Sequence, residues 1–191
     1  MYEKDINVSK KTWNKIKGHF GPHQQKFYTS IVKELPQEAV IVEIGTFHGR
    51  STVFLAQLMQ EKEKNGKIFT VDNFVAREAS ITKKQAHQRV MRNLKEAEVD
   101  HFVKALLSNS SDAAKDFEDE SIDFLFIDGS HLFTQVVLDI TSWYGKVREG
   151  GIIAGDDFSD GYPGVVRAVN QIFPKRKIYF SRLWKITKPK G

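Results

Sequence analysis

The chain has 191 residues, which suits one domain with a full central sheet and the helices that cover it. Hydrophobic residues make up 40% of it and include 14 Phe, so a packed core is expected and global disorder is excluded. The absence of cysteine excludes disulfides, thiolate zinc sites and cysteine nucleophiles.

Charge and hydropathy limit which kinds of binding partner and which cellular location are expected for this protein. The formal net charge of +5 is moderate, and solvated lysines explain it more simply than a nucleic-acid partner does. No run of about 18 apolar residues is present, so no membrane span is predicted. Residues 1–17 are polar and charged, so no signal peptide is predicted and a cytoplasmic location is expected.

The first 35 residues are predicted to form an N-terminal helical extension, and residues 36–191 the main domain. A short helix is predicted at Thr12–Phe20, followed by a break at Gly21-Pro22. Apolar residues then recur at helical spacing over Gln24–Leu35, which predicts a second helix. Such a helix either covers a ligand site or packs on the edge of the sheet.

The most informative stretch is the turn between a buried strand predicted at Ala39–Ile44 and a helix predicted at Ser51–Glu63. Gly45 permits a tight turn with positive φ, and Gly49 permits close approach to the start of the helix. Free amides at that start favour polar or anionic groups. This pattern is typical of the nucleotide-end loop of a doubly wound α/β fold, although any strand-glycine-helix turn would look similar.

An acidic residue follows the next predicted strand. The turn signal Asn65-Gly66 precedes the strand Lys67–Val71, and Asp72 comes directly after it. An acid at the end of the second strand is where nucleotide-binding folds contact ribose hydroxyls. The alternative is that Asp72 caps the segment that begins at Asn73.

The middle of the chain continues the alternation of helix and strand. A long amphipathic helix is predicted at Ala79–Ala97 and a third strand at Phe102–Leu107. The polar stretch Ser108–Asp112 can cap a helix that runs to Phe117. The isolated His87 has no partner at metal-ligand spacing, so it is assigned to the surface or to packing.

Carboxylates end the next two predicted strands. A continuous apolar run at Ile122–Ile127 predicts a central parallel strand, followed by Asp128 and a helix at Leu132–Tyr144. After a turn at Glu149–Gly151, the strand Ile152–Gly155 leads into Asp156-Asp157. Three carboxylates at one sheet edge are costly unless a cation or a shared proton offsets them, and oxygen ligands suit Mg²⁺, Mn²⁺ or Ca²⁺. The alternative is that Asp156 and Asp157 cap the next segment and stay solvated.

Two motifs carry a resemblance to a known family. The Glu-x-Gly-x-x-x-Gly loop at Glu43–Gly49 resembles motif I of class I S-adenosylmethionine-dependent methyltransferases. The blocks Ile127–His131 and Gly150–Phe158 resemble the branch of bacterial small-molecule enzymes grouped as methyltransferase family 24, with macrolide O-methyltransferases among its relatives. The resemblance covers about residues 27–188 and includes a helix at Gly164–Val169 and a closing strand at Leu183–Ile186.

The resemblance implies a single Rossmann-like, doubly wound, mostly parallel seven-stranded α/β sheet with helices on both faces. It also implies O-methylation of a small molecule with S-adenosylmethionine, with Mg²⁺ or another hard divalent ion as a candidate second cofactor. The residues that it assigns to the cofactor are Glu43, Gly45, Thr46, Gly49, Ser51, Asp72, Asn73, Ser108, Ser110 and Asp128.

The resemblance also assigns the residues that are expected to lie beside the methyl acceptor. Asp128, Asp156 and Asp157 match the acidic metal triad of metal-dependent relatives, although many family members have His in place of one of the last two. His131 and Asp128 are the candidate catalytic residues. His131 can act as a general base or hold its loop to the next helix, and both interpretations stay open.

Other functions can be weighed against this one. Base methyltransferases that act on nucleic acid commonly carry an Asn/Asp-Pro-Pro-aromatic motif, where this chain has Asp128-Gly129-Ser130-His131, so nucleic acid is not an expected partner. The glycine spacing at Gly45 disfavours a nicotinamide-dependent dehydrogenase. A metal-independent methyltransferase and a non-catalytic protein that binds S-adenosylmethionine remain alternatives. A homodimer is expected from relatives, and the sequence does not identify the acceptor.

Overall fold

The computed structural model describes residues 11–74 and 81–191. Parts of the predicted N-terminal extension (residues 1–10) and the predicted start of the third helix (residues 79–80) lie outside this range. The described residues form seven strands: β1 Val40–Ile44, β2 Lys67–Asp72, β3 Val103–Leu107, β4 Ile122–Ile127, β5 Val147–Gly155, β6 Lys177–Tyr179 and β7 Leu183–Thr187. They form one sheet in the order β3-β2-β1-β4-β5-β7-β6.

The sheet is mostly parallel. β1 pairs in parallel with both β2 and β4, while β7 runs antiparallel between β5 and β6. The strand order reverses between β1 and β4, and in such sheets ligands bind at the carboxyl ends of the strands beside that reversal. The predicted seven-stranded α/β fold is therefore confirmed. The loops that follow β1 and β4 flank the switch point of this sheet, where a ligand site is expected.

Helices cover both faces of the sheet. The α-helices of the described residues are α1 Pro22–Glu34, α2 Arg50–Glu61, α3 Lys83–Glu96, α4 Ser110–Ala113, α5 Phe133–Tyr144 and α6 Pro163–Ile172. Side chains alternate along each strand, so Phe124 packs with α1, α2 and α3 while Leu125 packs with α4, α5 and α6. This alternation gives two separate buried clusters, one on each face.

Several predicted elements differ from those observed. The turn predicted at Glu149–Gly151 lies inside β5, where backbone bonds with Lys188 hold both glycines in the sheet and a register shift accommodates the extra residues. The short strand β6 was not located from the sequence, because three residues are too few to show alternation. The helix predicted at Thr12–Phe20 is a 3₁₀ turn at Lys11–Lys15, and the one predicted to reach Phe117 is only α4 plus a 3₁₀ turn.

The N-terminal helix α1 is part of the same packed unit. Its Phe27 and Tyr28 are almost completely buried in the cluster that also holds residues of α2 and β4. Within residues 11–74 and 81–191, no helix combines the length and the apolar character that a membrane span requires. Packing of α1 against the sheet brings its first turn to the carboxyl edge.

Candidate active site

The loops after β1 and β4 touch at Gly45 and Asp128. The Asp128 amide donates to the Ile44 carbonyl at 2.8 Å, and the Gly45 amide donates to the Val71 carbonyl at 2.9 Å. Gly45 has φ +97°, and a Cβ atom there would lie 2.0 Å from the carbonyl oxygen of Asp128. Only glycine fits this contact, which lies at the switch point, where folds of this topology bind ligands in a crevice between the loops.

Asp72 binds the backbone of the loop that follows β1. Its Oδ2 accepts from the amides of Thr46 and Phe47, each at 3.0 Å, and its Oδ1 accepts from the amide of Phe74 at 2.7 Å. The carboxylate predicted for a ribose thus joins the ends of β1 and β2. Contact with ribose hydroxyls remains a prediction.

Gly49 sits at the start of α2. It has φ +82°, and its amide donates to the Thr46 carbonyl at 2.8 Å, which closes the loop. A Cβ atom there would lie 3.4 Å from Val90 of α3. The left-handed backbone favours glycine at this position, whereas a Cβ atom at that distance from Val90 would make close to an ordinary van der Waals contact.

Glu43 lies beneath the loop and not in the crevice. The residue is 1% exposed, and its carboxylate accepts from the hydroxyls of Tyr28 (3.0 Å), Thr70 (3.1 Å), Thr52 and Ser51. Burial raises its pKa, and these donors lower it in part. Glu43 therefore ties α1, α2 and β2 together under the loop.

Thr46 and Ser51, both predicted cofactor contacts, belong to the same buried network. The Thr46 hydroxyl lies 2.6 Å from the hydroxyl of Thr70, and the Ser51 hydroxyl bonds to Glu43. Their side chains support the loop from below. Contact of Thr46 and Ser51 with a cofactor remains a prediction.

The third strand contributes a polar edge to the crevice. The Ser108 amide donates to the Asp72 carbonyl at 3.1 Å, and Asn73 Nδ2 donates to Asn109 Oδ1 at 3.2 Å. Ser108 and Asn73 are therefore beside Asp72, where they were expected. Asn109 joins them, although it lies in the predicted capping stretch and was not among the predicted cofactor contacts.

Ser110 points elsewhere. Its hydroxyl accepts from Trp143 Nε1 at 2.9 Å and bonds to Asp139, both on α5. Because α4 begins at Ser110, the side chain turns toward α5 rather than toward Asp72. The predicted cofactor contact of Ser110 is not supported by this geometry.

Asp156 and Asp157 lie directly after β5 and are both buried. Asp156 Oδ1 accepts from Arg182 Nε at 2.5 Å and from the Asp157 amide at 2.6 Å, and Asp156 Oδ2 accepts from Gln24 Nε2 at 2.9 Å. Asp157 Oδ1 accepts from Arg182 Nη2 at 2.6 Å, and its Oδ2 lies 2.8 Å from His131 Nε2. Every side-chain oxygen of the pair therefore has a partner from the protein.

This arrangement does not fit the predicted metal site. A divalent ion would need the same carboxylate oxygens, and Arg182 already supplies the positive charge. Among residues 11–74 and 81–191, no group of three or more His, Asp or Glu side chains could hold a metal ion. The assignment of Asp128, Asp156 and Asp157 as metal ligands is thus not supported, because a sequence pattern of acids does not show which cation lies beside them.

Asp128 stands between the crevice and this acidic pair. Burial raises the pKa of its carboxyl well above the usual value, and the nearby Asp156 and Asp157 raise it further. Burial also raises the pKa of Asp157, with Asp156 as the next cause. A small cavity is lined by Asp128, His131, both acids and Trp184. The environment favours a protonated Asp128.

Arg182 and Gln24 were not identified from the sequence. Arg182 precedes β7, and Gln24 lies in the first turn of α1, 132 residues from the aspartate that it contacts. Neither residue stands in a recognisable motif. The only available signal was the concentration of negative charge itself, which requires a cation nearby.

This chain was compared with protein families, with curated sequences and with solved structures. The family profile of the methyltransferase domain called methyltransferase family 24 matches residues 42–158, which is more than half of the chain. An uncharacterized protein of Acanthamoeba polyphaga mimivirus is 34% identical over 133 residues. That match covers 69% of this chain and 58% of the viral protein, so the chain spans little more than half of that relative.

Solved structures share the fold across almost the whole chain. The O-methyltransferase from Bacillus cereus in complex with SAH is 20% identical with a TM-score of 0.67, and the match covers 98% of this chain and 93% of that one. The O-methyltransferase TomG from Streptomyces achromogenes, involved in tomaymycin synthesis and solved with SAM, is 16% identical with a TM-score of 0.67. That match covers 97% of this chain and 91% of TomG. The chain belongs to the methyltransferase domain family 24 and has the fold of class I S-adenosylmethionine-dependent methyltransferases.

Proposed function

We propose that this chain transfers the methyl group of S-adenosylmethionine to a hydroxyl oxygen of a small molecule, without a divalent metal. The observation that carries the proposal is the position of Asp128. On one side its backbone contacts Gly45 in the crevice, and on the other it adjoins the His131–Asp157 pair. The names of the similar structures, which are O-methyltransferases, support oxygen as the acceptor atom.

We infer that the crevice at the switch point takes the nucleoside of the cofactor. Gly45 keeps its floor free of any side chain, Asp72 orders the loop amides, and the N-terminus of the twelve-residue helix α2 faces the same region. Gly49, Asn73, Ser108 and Asp128 complete the set that would hold the cofactor. When bound, S-adenosylmethionine supplies an electrophilic methyl group on a sulfonium.

His131 is the proposed general base. A carboxylate oxygen only accepts, so the 2.8 Å contact with Asp157 assigns the imidazole proton to Nε2 and leaves Nδ1 basic. Asp157 therefore orients the ring in the way that catalytic histidines are commonly held. The hydroxyl proton of the acceptor would pass to Nδ1 as its oxygen bonds to the methyl carbon, while the carbon–sulfur bond breaks and S-adenosylhomocysteine leaves.

Asp128 has a different role. Burial and two neighbouring carboxylates raise the pKa of its carboxyl, and we assign it the role of a hydrogen-bonding group that orients the reactants. Positioning by such groups, together with exclusion of water, supplies much of the acceleration in methyl transfer. Asp128 would thus align reactants while His131 takes the proton.

The test has two parts. S-adenosylhomocysteine at about 100 times its dissociation constant should stabilise the protein by roughly 2.7 kcal/mol, which a thermal melt detects. Release of S-adenosylhomocysteine is then followed with a panel of phenols, sugars and polyketide alcohols. His131→Ala should keep the thermal shift and lose turnover by about 10²-fold or more, whereas His101→Ala, at an exposed position, should keep both.

The outcomes separate the alternatives. No thermal shift would reject the proposal altogether. A shift with no turnover on any acceptor would favour the alternative of a non-catalytic binding protein, which needs no His131–Asp157 pair. Turnover that requires added Mg²⁺ would contradict the metal-free mechanism and favour the metal-assisted one.

Three expectations from the sequence remain predictions. These are the cytoplasmic location, the homodimer and the division into an extension at residues 1–35 and a domain at residues 36–191. Sedimentation velocity tests the dimer. Removal of residues 1–35 tests the division, and the burial of Tyr28 against the sheet predicts that this truncation destabilises the domain.

A further inference from the structure

Arg182 spans two adjacent carboxylates at the end of β5. Its Nε lies 2.5 Å from Asp156 Oδ1, and its Nη2 lies 2.6 Å from Asp157 Oδ1. The planar guanidinium offers two fixed, roughly parallel donors that match two acceptors at once, and it keeps its charge at any physiological pH. One side chain therefore offsets two crowded negative charges.

The second oxygen of each of these two carboxylates also has a partner from the protein. Gln24 donates to the second oxygen of Asp156, and His131 contacts the second oxygen of Asp157. A divalent ion would have to use these same oxygens as ligands. The arginine and a metal ion consequently exclude each other at this position.

Arg182 follows directly on the tight turn that joins β6 to β7, and its amide donates to the Tyr179 carbonyl at 3.2 Å across that turn. Phe180 and Ser181, which form the turn before it, have φ of +51° and +60°, and Asp157 opposite has φ +61°. A left-handed φ at both central residues is typical of a tight hairpin turn, so the turn itself fixes where the side chain of Arg182 begins. The Phe158 amide also donates to the Arg182 carbonyl at 2.8 Å, which fixes both sides of the contact.

We propose that Arg182 is the resident cation of the acidic site, that it occupies the position a divalent ion would take between Asp156 and Asp157, and that its removal converts this site into a metal site. The proposal deepens the proposed function, because an arginine at this position makes methyl transfer independent of metal. Only this consequence for methyl transfer rests on the proposed function. Arg182 is a positioning residue in this role. It comes from the turn between β6 and β7, outside residues 42–158 that match the family profile.

The experiment titrates the purified full chain with Mn²⁺ after treatment with a chelator, and free Mn²⁺ is followed by its electron paramagnetic resonance signal. The variants are Arg182→Ala, Arg182→Ala with Asp157→Asn, and the matched control Arg148→Ala. Arg148 contacts a single carboxylate, Asp123, at 2.6 Å, and its side chain is 41% exposed against 39% for Arg182. The control therefore removes an equivalent arginine without uncovering a pair of acids.

Wild type and Arg148→Ala should show no saturable Mn²⁺ binding up to about 1 mM, the weak end of protein sites for hard ions. Arg182→Ala should bind one Mn²⁺ at least about tenfold more tightly, and Asp157→Asn in that background should abolish the gain. Guanidinium chloride at low concentration should compete with Mn²⁺ in Arg182→Ala, because it restores the missing group. Mn²⁺ should also raise the Tm of Arg182→Ala and leave that of wild type unchanged.

Two results would overturn the inference. One is saturable binding to wild type that depends on Asp157, and the other is an Arg182→Ala variant that binds Mn²⁺ no better than Arg148→Ala. Should Arg182→Ala be too unstable to titrate, Arg182→Gln keeps a neutral donor and is held to the same two criteria. The thermal shift with S-adenosylhomocysteine is read separately, so loss of that shift in wild type rejects the proposed function without touching the Mn²⁺ result.

Discussion

Gly45 lies against Asp128 so closely that a Cβ atom at residue 45 would come within 2.0 Å of the Asp128 carbonyl oxygen. This contact joins the two loops at the switch point of the sheet, and it explains why the glycine of the motif is needed. The left-handed φ of Gly45 adds a second requirement, since other residues lose about 1–2 kcal/mol in that conformation.

Gly45→Ala should lower the free energy of unfolding by about 2–4 kcal/mol, because it combines backbone strain with a clash. Urea titration measures this change. Gly161→Ala is the control, since a Cβ atom there would meet nothing closer than Ser159 Oγ at 3.9 Å, and it should stay within about 0.5 kcal/mol of wild type. Equal effects of the two substitutions would contradict the close contact with Asp128.

Asp72→Ala should weaken binding of S-adenosylhomocysteine by about tenfold or more. The substitution leaves the amides of Thr46 and Phe47 without their acceptor, and an unpaired group of this kind costs about 1–3 kcal/mol. Isothermal titration calorimetry measures the dissociation constant. Asp100→Ala, at an exposed position before β3, should bind like wild type, and an unchanged affinity in Asp72→Ala would show that the loop does not depend on this carboxylate.

Tyr28→Phe should lower the free energy of unfolding by about 1–2 kcal/mol, because it removes a hydroxyl that donates to the buried Glu43. Urea titration of Tyr28→Phe, Glu43→Gln and the double variant forms a cycle. The two substitutions should be non-additive by at least about 0.5 kcal/mol, as expected for contacting residues. Additive effects would mean that the bond contributes nothing to stability.

Asp128→Asn should change the pH dependence of stability. The pKa of Asp128 is raised in the folded protein, so the unfolded state ionises first and wild-type stability falls as pH rises from about 4 through the raised pKa. Asparagine does not ionise, so the variant does not lose stability in this way as the pH rises. The variant should therefore gain on wild type with rising pH, by about 1.4 kcal/mol for each unit by which the pKa is raised, and the gain should vanish at low pH. Denaturant titrations at a series of pH values measure the difference, and a constant difference across pH would contradict a raised pKa at Asp128.

The local sequence determined much of the fold. Apolar runs such as Ile122–Ile127 predict buried strands, and the glycine turn at Gly45 and Gly49 predicts a strand followed by a helix, because both signals lie within a few consecutive residues. The parallel arrangement then places Asp72, Asp128 and Asp156 at the same edge. These relations follow from the periodicity of the chain, so they could be predicted without coordinates.

Only the tertiary structure decided what surrounds those residues. Gln24 reaches Asp156 across 132 residues, Arg182 reaches it across 26, and neither is marked by a motif. The acids alone predicted a metal ion, whereas the folded chain brings an arginine to them. Ser110 likewise turned to α5 because α4 begins at that residue. Hydrophobic periodicity is a local property and can be read along the chain, but the partner of a buried charge is set by which distant segments the packing brings together.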